Sequence, residues 1–191
     1  LRRLFEYTIA SFMEAAGRRL SSIEVHDIMC MVGEIVVVGG VRRSALISLS
    51  NLSDQRMRDA KSGQWWTDNA QRALANNSVA YTEKPSAEIF MEEWLSLVKS
   101  KSGERGIFNR VAAQKQAAKY GRRVENLNYG TNPCSEIILR DKQFCNLTET
   151  IIRATDSKAD IKAKVRLATI LGTFQASFTN FSFLSDAWRK N

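Results

Sequence analysis

Proline is almost missing from this chain: two residues in 191, beside ten glycines. That supply of chain breakers is too small for a collagen-like or proline-rich segment and argues against a long disordered linker. Uninterrupted apolar runs are short, Ile35-Val36-Val37-Val38 among them, whereas a membrane-spanning helix needs about 20 apolar residues. The first residues do not read as a signal peptide, because Glu6 and Glu14 interrupt the apolar pattern. Cysteine is scarce, with three in the chain, and His26 is the single histidine. An odd cysteine count without a secretion signal argues against a disulfide framework and fits a reducing compartment, the cytoplasm. Zinc is disfavoured too: Cys134 and Cys145 stand as C-x10-C, with no CxxC unit and no nearby histidine.

What is present is a folded-protein composition with a basic balance. The formal charge is +8 and the pI about 9.6, which suits a polyanionic partner, either nucleic acid or the phosphates of a small ligand. The cations are dispersed, as in Arg2-Arg3, Arg18-Arg19 and Arg122-Arg123, with no long basic block and no interleaved aromatics. A nucleic-acid-binding module is therefore the weaker reading. The length suffices for the core of one domain or two small ones, and no internal boundary is evident in residues 1–191. The chain opens on Leu1 and stops at Asn191 without terminal punctuation, so we expect an internal piece of something longer.

Apolar spacing predicts a helix over residues 3–19 and a second one, capped by Ser21-Ser22, running through His26, Cys30 and Val36 to Gly39-Gly40. Strands are expected at 44–50, 78–82 and 106–109. Helices are expected at 54–61, 87–98 and 111–120, and a last one after Asp156 or Ser157. Residues 131–139 read as a loop running into a strand, and 146–152 as a further strand. Helices that separate short apolar strands predict an α/β fold with mostly parallel strands.

The chemistry concentrates in Asn132-Pro133-Cys134-Ser135-Glu136, with Cys145 eleven positions after Cys134. Proline and two polar residues around Cys134 make a poor packing segment and a good exposed loop. An extended start at the X-Pro bond would place Asn132, Cys134 and Glu136 on one side, bringing an amide, a thiol and a carboxylate to one small substrate. A Cys-His hydrolase with His26 as spatial partner stays open at this point. Gly39, Gly40, Val41, Arg42, Arg43 and Ser44 form a second candidate: a mobile backbone after a helix, with forked donors for phosphate or base edges. A plain helix-to-strand connection is its competitor.

Asn-Pro-Cys-x-Glu with a second cysteine eleven residues on resembles the active-site finger loop of adenosylcobalamin-dependent (class II) ribonucleotide reductases, of the monomeric ribonucleoside-triphosphate type. The segments His26–Ile47, Ala75–Ala80, Arg105–Arg110 and Gly172–Ser177 are similar to that family as well, so the likeness covers nearly the whole chain. It implies the central part of a ten-stranded α/β barrel. It also implies that Cys134 carries a thiyl radical, Glu136 is the general base on the ribose 3′-hydroxyl, Asn132 hydrogen-bonds substrate hydroxyls, and Cys145 is half of a redox-active pair. The other half is expected upstream of Leu1, with Cys30 the weaker candidate. Gly39 to Ser44 would then be the specificity loop that reports a deoxynucleotide effector. The implied cofactor is adenosylcobalamin, held mainly by parts outside this chain. The implied partners are a ribonucleotide and a thioredoxin-type reductant. A same-fold reductase with a di-iron or glycyl-radical source is the rival within the enzymes.

Overall fold

Helix α1 (Arg2–Glu14) follows the spacing of Leu4, Phe5, Ile9 and Phe12 and gives out in a turn where Gly17 takes φ +82°. Helix α2 (Ser22–Glu34) begins on a capping box, in which the Glu24 carboxylate accepts the backbone N–H of Ser21 at 2.7 Å. It ends before Val36, short of the expected run. Val37–Val38 (β1) instead turns back to pair antiparallel with Val41–Arg42 (β2). A β-branched run loses side-chain freedom in a helix and fits a strand, which accounts for the switch. Gly39 and Gly40, expected to close the helix, lie outside the described residues.

The structure is a computed structural model that describes every residue except 39, 40, 43, 102, 104, 122, 125–127, 190 and 191. It divides into two compact units, Leu1–Ile138 and Leu139–Asn191.

The frame of the first unit is a three-stranded parallel sheet, in the order β3 (Leu46–Ser50), β4 (Ala75–Tyr81), β5 (Gly106–Asn109). Short helices α3 (Gln55–Arg58) and α4 (Trp65–Asp68) and a 3-10 turn (Ala70–Leu74) connect β3 to β4, and α5 (Ala87–Ser100) connects β4 to β5. Helix α6 (Arg110–Ala118) follows directly, capped by Asn109, whose side chain accepts the Ala112 N–H at 2.9 Å. The mixed helix and parallel sheet agree with the α/β expectation. Alternation along β4 sends its residues to two faces. Ala75 packs with Cys30, Leu74 and Leu46 on the α2 side, while Ala80 packs with Phe108, Ala113 and Tyr129 on the α6 side.

Buried ion pairs tie the helices to this sheet. Arg72 donates to both carboxylate oxygens of Asp27, at 2.7 and 2.6 Å, and to the Ala60 carbonyl at 2.7 Å. Glu93, fully buried on α5, accepts from Arg105 at 2.5 and 2.9 Å and faces Arg58 at 3.3 Å. Arg105 also donates to the Ser50 hydroxyl at 2.8 Å, so one guanidinium joins α5 to β3. Burial pushes both carboxyls upward, but the hydrogen bonds and charges of their arginines outweigh it and hold them below their ordinary range.

In the second unit, helix α7 (Lys158–Ala176) starts on a capping box between Ser157 and Asp160, and α8 (Asp186–Arg189) follows it. Residues 146–152, expected as a strand, have no regular structure. Their polar groups go to the helix: Asn146 donates to the Gly172 carbonyl at 3.1 Å, Thr148 to Ala168 at 3.1 Å, and Lys164 reaches back to Ile151 at 3.1 Å. Side chains of this stretch thus bond to helix carbonyls, and its backbone forms no ladder.

Candidate active site

The Cys134 segment is a turn at the end of a short hairpin, Gly130–Thr131 (β6) paired with Ile138–Leu139 (β7). Tyr129, 1% exposed, anchors the incoming strand in the core and donates its hydroxyl to the Val124 carbonyl at 2.6 Å. The turn itself closes when the Ser135 N–H donates to the Asn132 carbonyl at 3.0 Å. Pro133 occupies the second turn position, where its fixed φ is favourable, and Cys134 the third. Cys134 does not take a positive φ, as a type I turn requires, and Ser135 follows at φ +68°.

That left-handed serine costs roughly 1–2 kcal/mol that a glycine would not incur. Glycine's greater freedom in the unfolded chain returns about 0.4–1 kcal/mol of this. Ser135→Gly is therefore expected to stabilise the first unit by up to about 1.5 kcal/mol, read as a higher urea midpoint at unchanged slope.

Asn132 is buried and Cys134 and Glu136 are exposed. The Asn132 side-chain oxygen accepts the Ile137 N–H at 3.0 Å, and its backbone N–H donates to the Ile137 carbonyl at 3.3 Å. One face of its amide thus braces the loop. The segment is a tight turn between two short strands, not a loop entering one continuous strand. Glu136 lines an open cleft of about 420 Å³ together with Gln116, Tyr120 and Arg123. Arg123 is partly committed there, donating to the Ile138 carbonyl at 2.7 Å.

The other expected positions fall elsewhere. Cys145, exposed, belongs to the second unit, where its neighbour Phe144 stacks on Phe181 at 5.3 Å and lies tilted against Trp188 at 5.4 Å. Cys30 is fully buried beside His26 at 3.8 Å, and burial, with the Asp27 charge, pushes its thiol up to about 11. Such a thiol stays protonated and packs as a small hydrophobe. His26 contacts Asp27 at 3.2 Å and Asn77 at 3.4 Å. Asn76, its neighbour on β4, instead donates to the Pro133 carbonyl at 2.6 Å. Successive strand residues point to opposite faces, so His26 and the Cys134 turn lie on opposite sides of the sheet. The Cys-His pairing is not formed.

Of the glycine-arginine segment, Gly39, Gly40 and Arg43 lie outside the described residues. Val41 and Arg42 form β2, and the Ser44 hydroxyl donates to the Gly33 carbonyl at 2.9 Å, closing the hairpin base against α2. Asn76 carried no expected role. The visible signal was two adjacent asparagines inside an otherwise strand-forming run, where that residue type is disfavoured. No group of three or more metal-ligating side chains occurs among the described residues, and none of their helices is long and apolar enough to cross a membrane.

The structure thus presents an exposed thiol on a braced turn, two residues from an exposed carboxylate and bonded through Pro133 to the central strand of a parallel sheet. Comparison with curated proteins makes the class specific. The chain is 34% identical over 140 residues to the adenosylcobalamin-dependent ribonucleoside-triphosphate reductase of Lacticaseibacillus paracasei, covering 70% of this chain and 18% of that protein. It is 31% identical over 169 residues to the reductase of the same name from Lactobacillus acidophilus, and 30% over 167 residues to that of Lactobacillus helveticus. Those matches cover 80% and 81% of this chain and 20% and 21% of the relatives. No family model matches the chain, and no solved structure matches it. The chain is a homologue of one part of the adenosylcobalamin-dependent ribonucleoside-triphosphate reductases, spanning about a fifth of their length.

Proposed function

We propose that this chain is the central part of the catalytic barrel of a ribonucleoside-triphosphate reductase, an oxidoreductase that makes 2′-deoxyribonucleotides for DNA synthesis in the cytoplasm. The observation that carries the reading is the similarity to reductases of that name over most of the chain. The exposed, braced turn bearing Cys134 supports it, as does the parallel sheet beneath. The relatives' names favour this reading over a same-fold reductase with another radical source and over a nucleic-acid-binding module.

In this reading Cys134, at the tip of the finger loop, becomes a thiyl radical and takes the 3′-hydrogen of the ribose. Exposure of its sulfur fits a group that must receive a radical from a cofactor. Adenosylcobalamin, held mainly by parts outside this chain, would when bound be the source of that radical. Glu136 accepts the 3′-hydroxyl proton, a task for a carboxylate within hydrogen-bond reach of substrate. Asn132 holds substrate hydroxyls through the amide nitrogen, since its oxygen is engaged by Ile137. The 2′-hydroxyl leaves as water while Cys145 and a partner thiol upstream of Leu1 give up two electrons and two protons and close a disulfide. Glu136 returns the proton to the 3′-oxygen and Cys134 the hydrogen to C3′, which restores its thiyl radical. A thioredoxin-type reductant then reopens the disulfide. Gly39 to Ser44 act as the specificity loop that reports a deoxynucleotide effector.

The test is an assay of the intact protein with a ribonucleoside triphosphate and a dithiol, with and without added adenosylcobalamin. Deoxynucleotide formed only with the cofactor is the expected result; equal formation without it would refute the radical source, and no formation the reading itself.

A further inference from the structure

We propose that Asn76 is a positioning residue that latches the Cys134 turn in one of its two forms. This inference rests on the reading of Cys134 as the reacting thiol. Turn types I and II share their end residues and differ by a flip of the central peptide, the one between the second and third positions. Here that peptide joins Pro133 to Cys134, and its oxygen is the Pro133 carbonyl. The Asn76 amide donates to that oxygen at 2.6 Å from across 57 positions of sequence. Flipping the peptide would swing the oxygen away from Asn76 and break the bond. It would also demand a positive φ of Cys134, which carries none now.

Proline alone does not decide between the forms, because it suits the second position of both. The hydrogen bond from Ser135 to Asn132 closes both as well. Asn76 thus adds, to the cost of a positive φ at Cys134, the one side-chain hydrogen bond on that peptide that distinguishes the two forms, and the direction of the Cys134 side chain changes with the flip. The latch is mounted on the central strand of the sheet, with β3 on one side and β5 on the other. Its base is fixed by the backbone ladder to β3, where Asn76 faces Ile47, two residues before the β5 ladder begins at Ser78, and the turn inherits that rigidity through one bond.

The experiment uses the intact protein and three forms: wild type, Asn76→Asp and Asn76→Gln. Aspartate keeps the shape but replaces the donor with an acceptor that repels the Pro133 oxygen; glutamine keeps the donor on a longer arm. Hydrogen exchange of the peptide covering 131–139 is expected to speed up about five- to tenfold in Asn76→Asp, the factor lost with one hydrogen bond. The sheet strands should exchange as before. For nucleotide reduction kcat should fall roughly ten- to a hundredfold, as misplacement of a reacting group does, with KM unchanged. Asn76→Gln should recover most of both effects. Unchanged exchange would overturn the latch, and faster exchange with unchanged kcat would overturn its positioning role. Failure of the wild type to reduce nucleotides would instead count against the proposed function, and exchange alone would then decide whether Asn76 holds the turn.

Discussion

Serine in place of Cys134 is expected to abolish nucleotide reduction by the proposed enzyme and, with it, the exchange of hydrogen between cofactor and water. A hydroxyl holds its hydrogen more tightly than a thiol does, so the radical has nowhere to settle at this position. The effect should be total because every later step depends on that radical. Cys145→Ser separates the two sulfur roles. It should leave the hydrogen exchange intact and stop turnover that depends on a dithiol. Both cysteines are exposed, so neither substitution opens a cavity, and a circular dichroism spectrum like that of the wild type should accompany the loss. Retained reduction in Cys134→Ser would end the radical assignment.

The largest effect on stability is expected at Glu93, which touches no part of the candidate site. Glu93→Ala leaves the Arg105 guanidinium buried without its carboxylate, and breaking a buried pair in this way typically costs about 3–5 kcal/mol. Arg58 is less affected, because its side chain keeps some contact with solvent. Changing Glu93 and Arg105 together to apolar residues should cost much less than Glu93→Ala alone, a difference that a double-mutant cycle in urea would read. The pH dependence has a definite sign. Folding lowers the pKa of Glu93 and of Asp27, so their contribution is fully present above the unfolded carboxylate range. It is lost as pH falls below about 4. Glu93→Ala should flatten that acid limb.

Much of the architecture was legible in the sequence because punctuation and period agreed there. Ser21 and Ser157 cap helices where the sequence offered a cap, and the alternation expected over 44–50 is a strand at Leu46–Ser50. The end of α2 and the segment 146–152 were not legible. In the first, a β-branched run paired locally with β2; in the second, threonine and asparagine found helix carbonyls instead of a strand partner. Both outcomes depend on what lies nearby in space. The candidate site followed the same division. Local spacing marked Asn132, Cys134 and Glu136, which the structure places on and directly after one turn. The turn's dependence on Asn76, and the placing of His26 on the other side of the sheet, arise from contacts more than fifty residues apart. No local period reports those.

The two asparagines of β4 make this strand unusually intolerant of changes in length. Asn76 serves the Cys134 turn and Asn77 the buried histidine, one on each face. Deleting or inserting a single residue upstream within β4 would exchange their sides, sending each amide to the other's task while leaving the composition of the strand almost the same. A point substitution at either asparagine strikes one face alone; a one-residue indel there would strike the reactive turn and the α2 anchor in the same event.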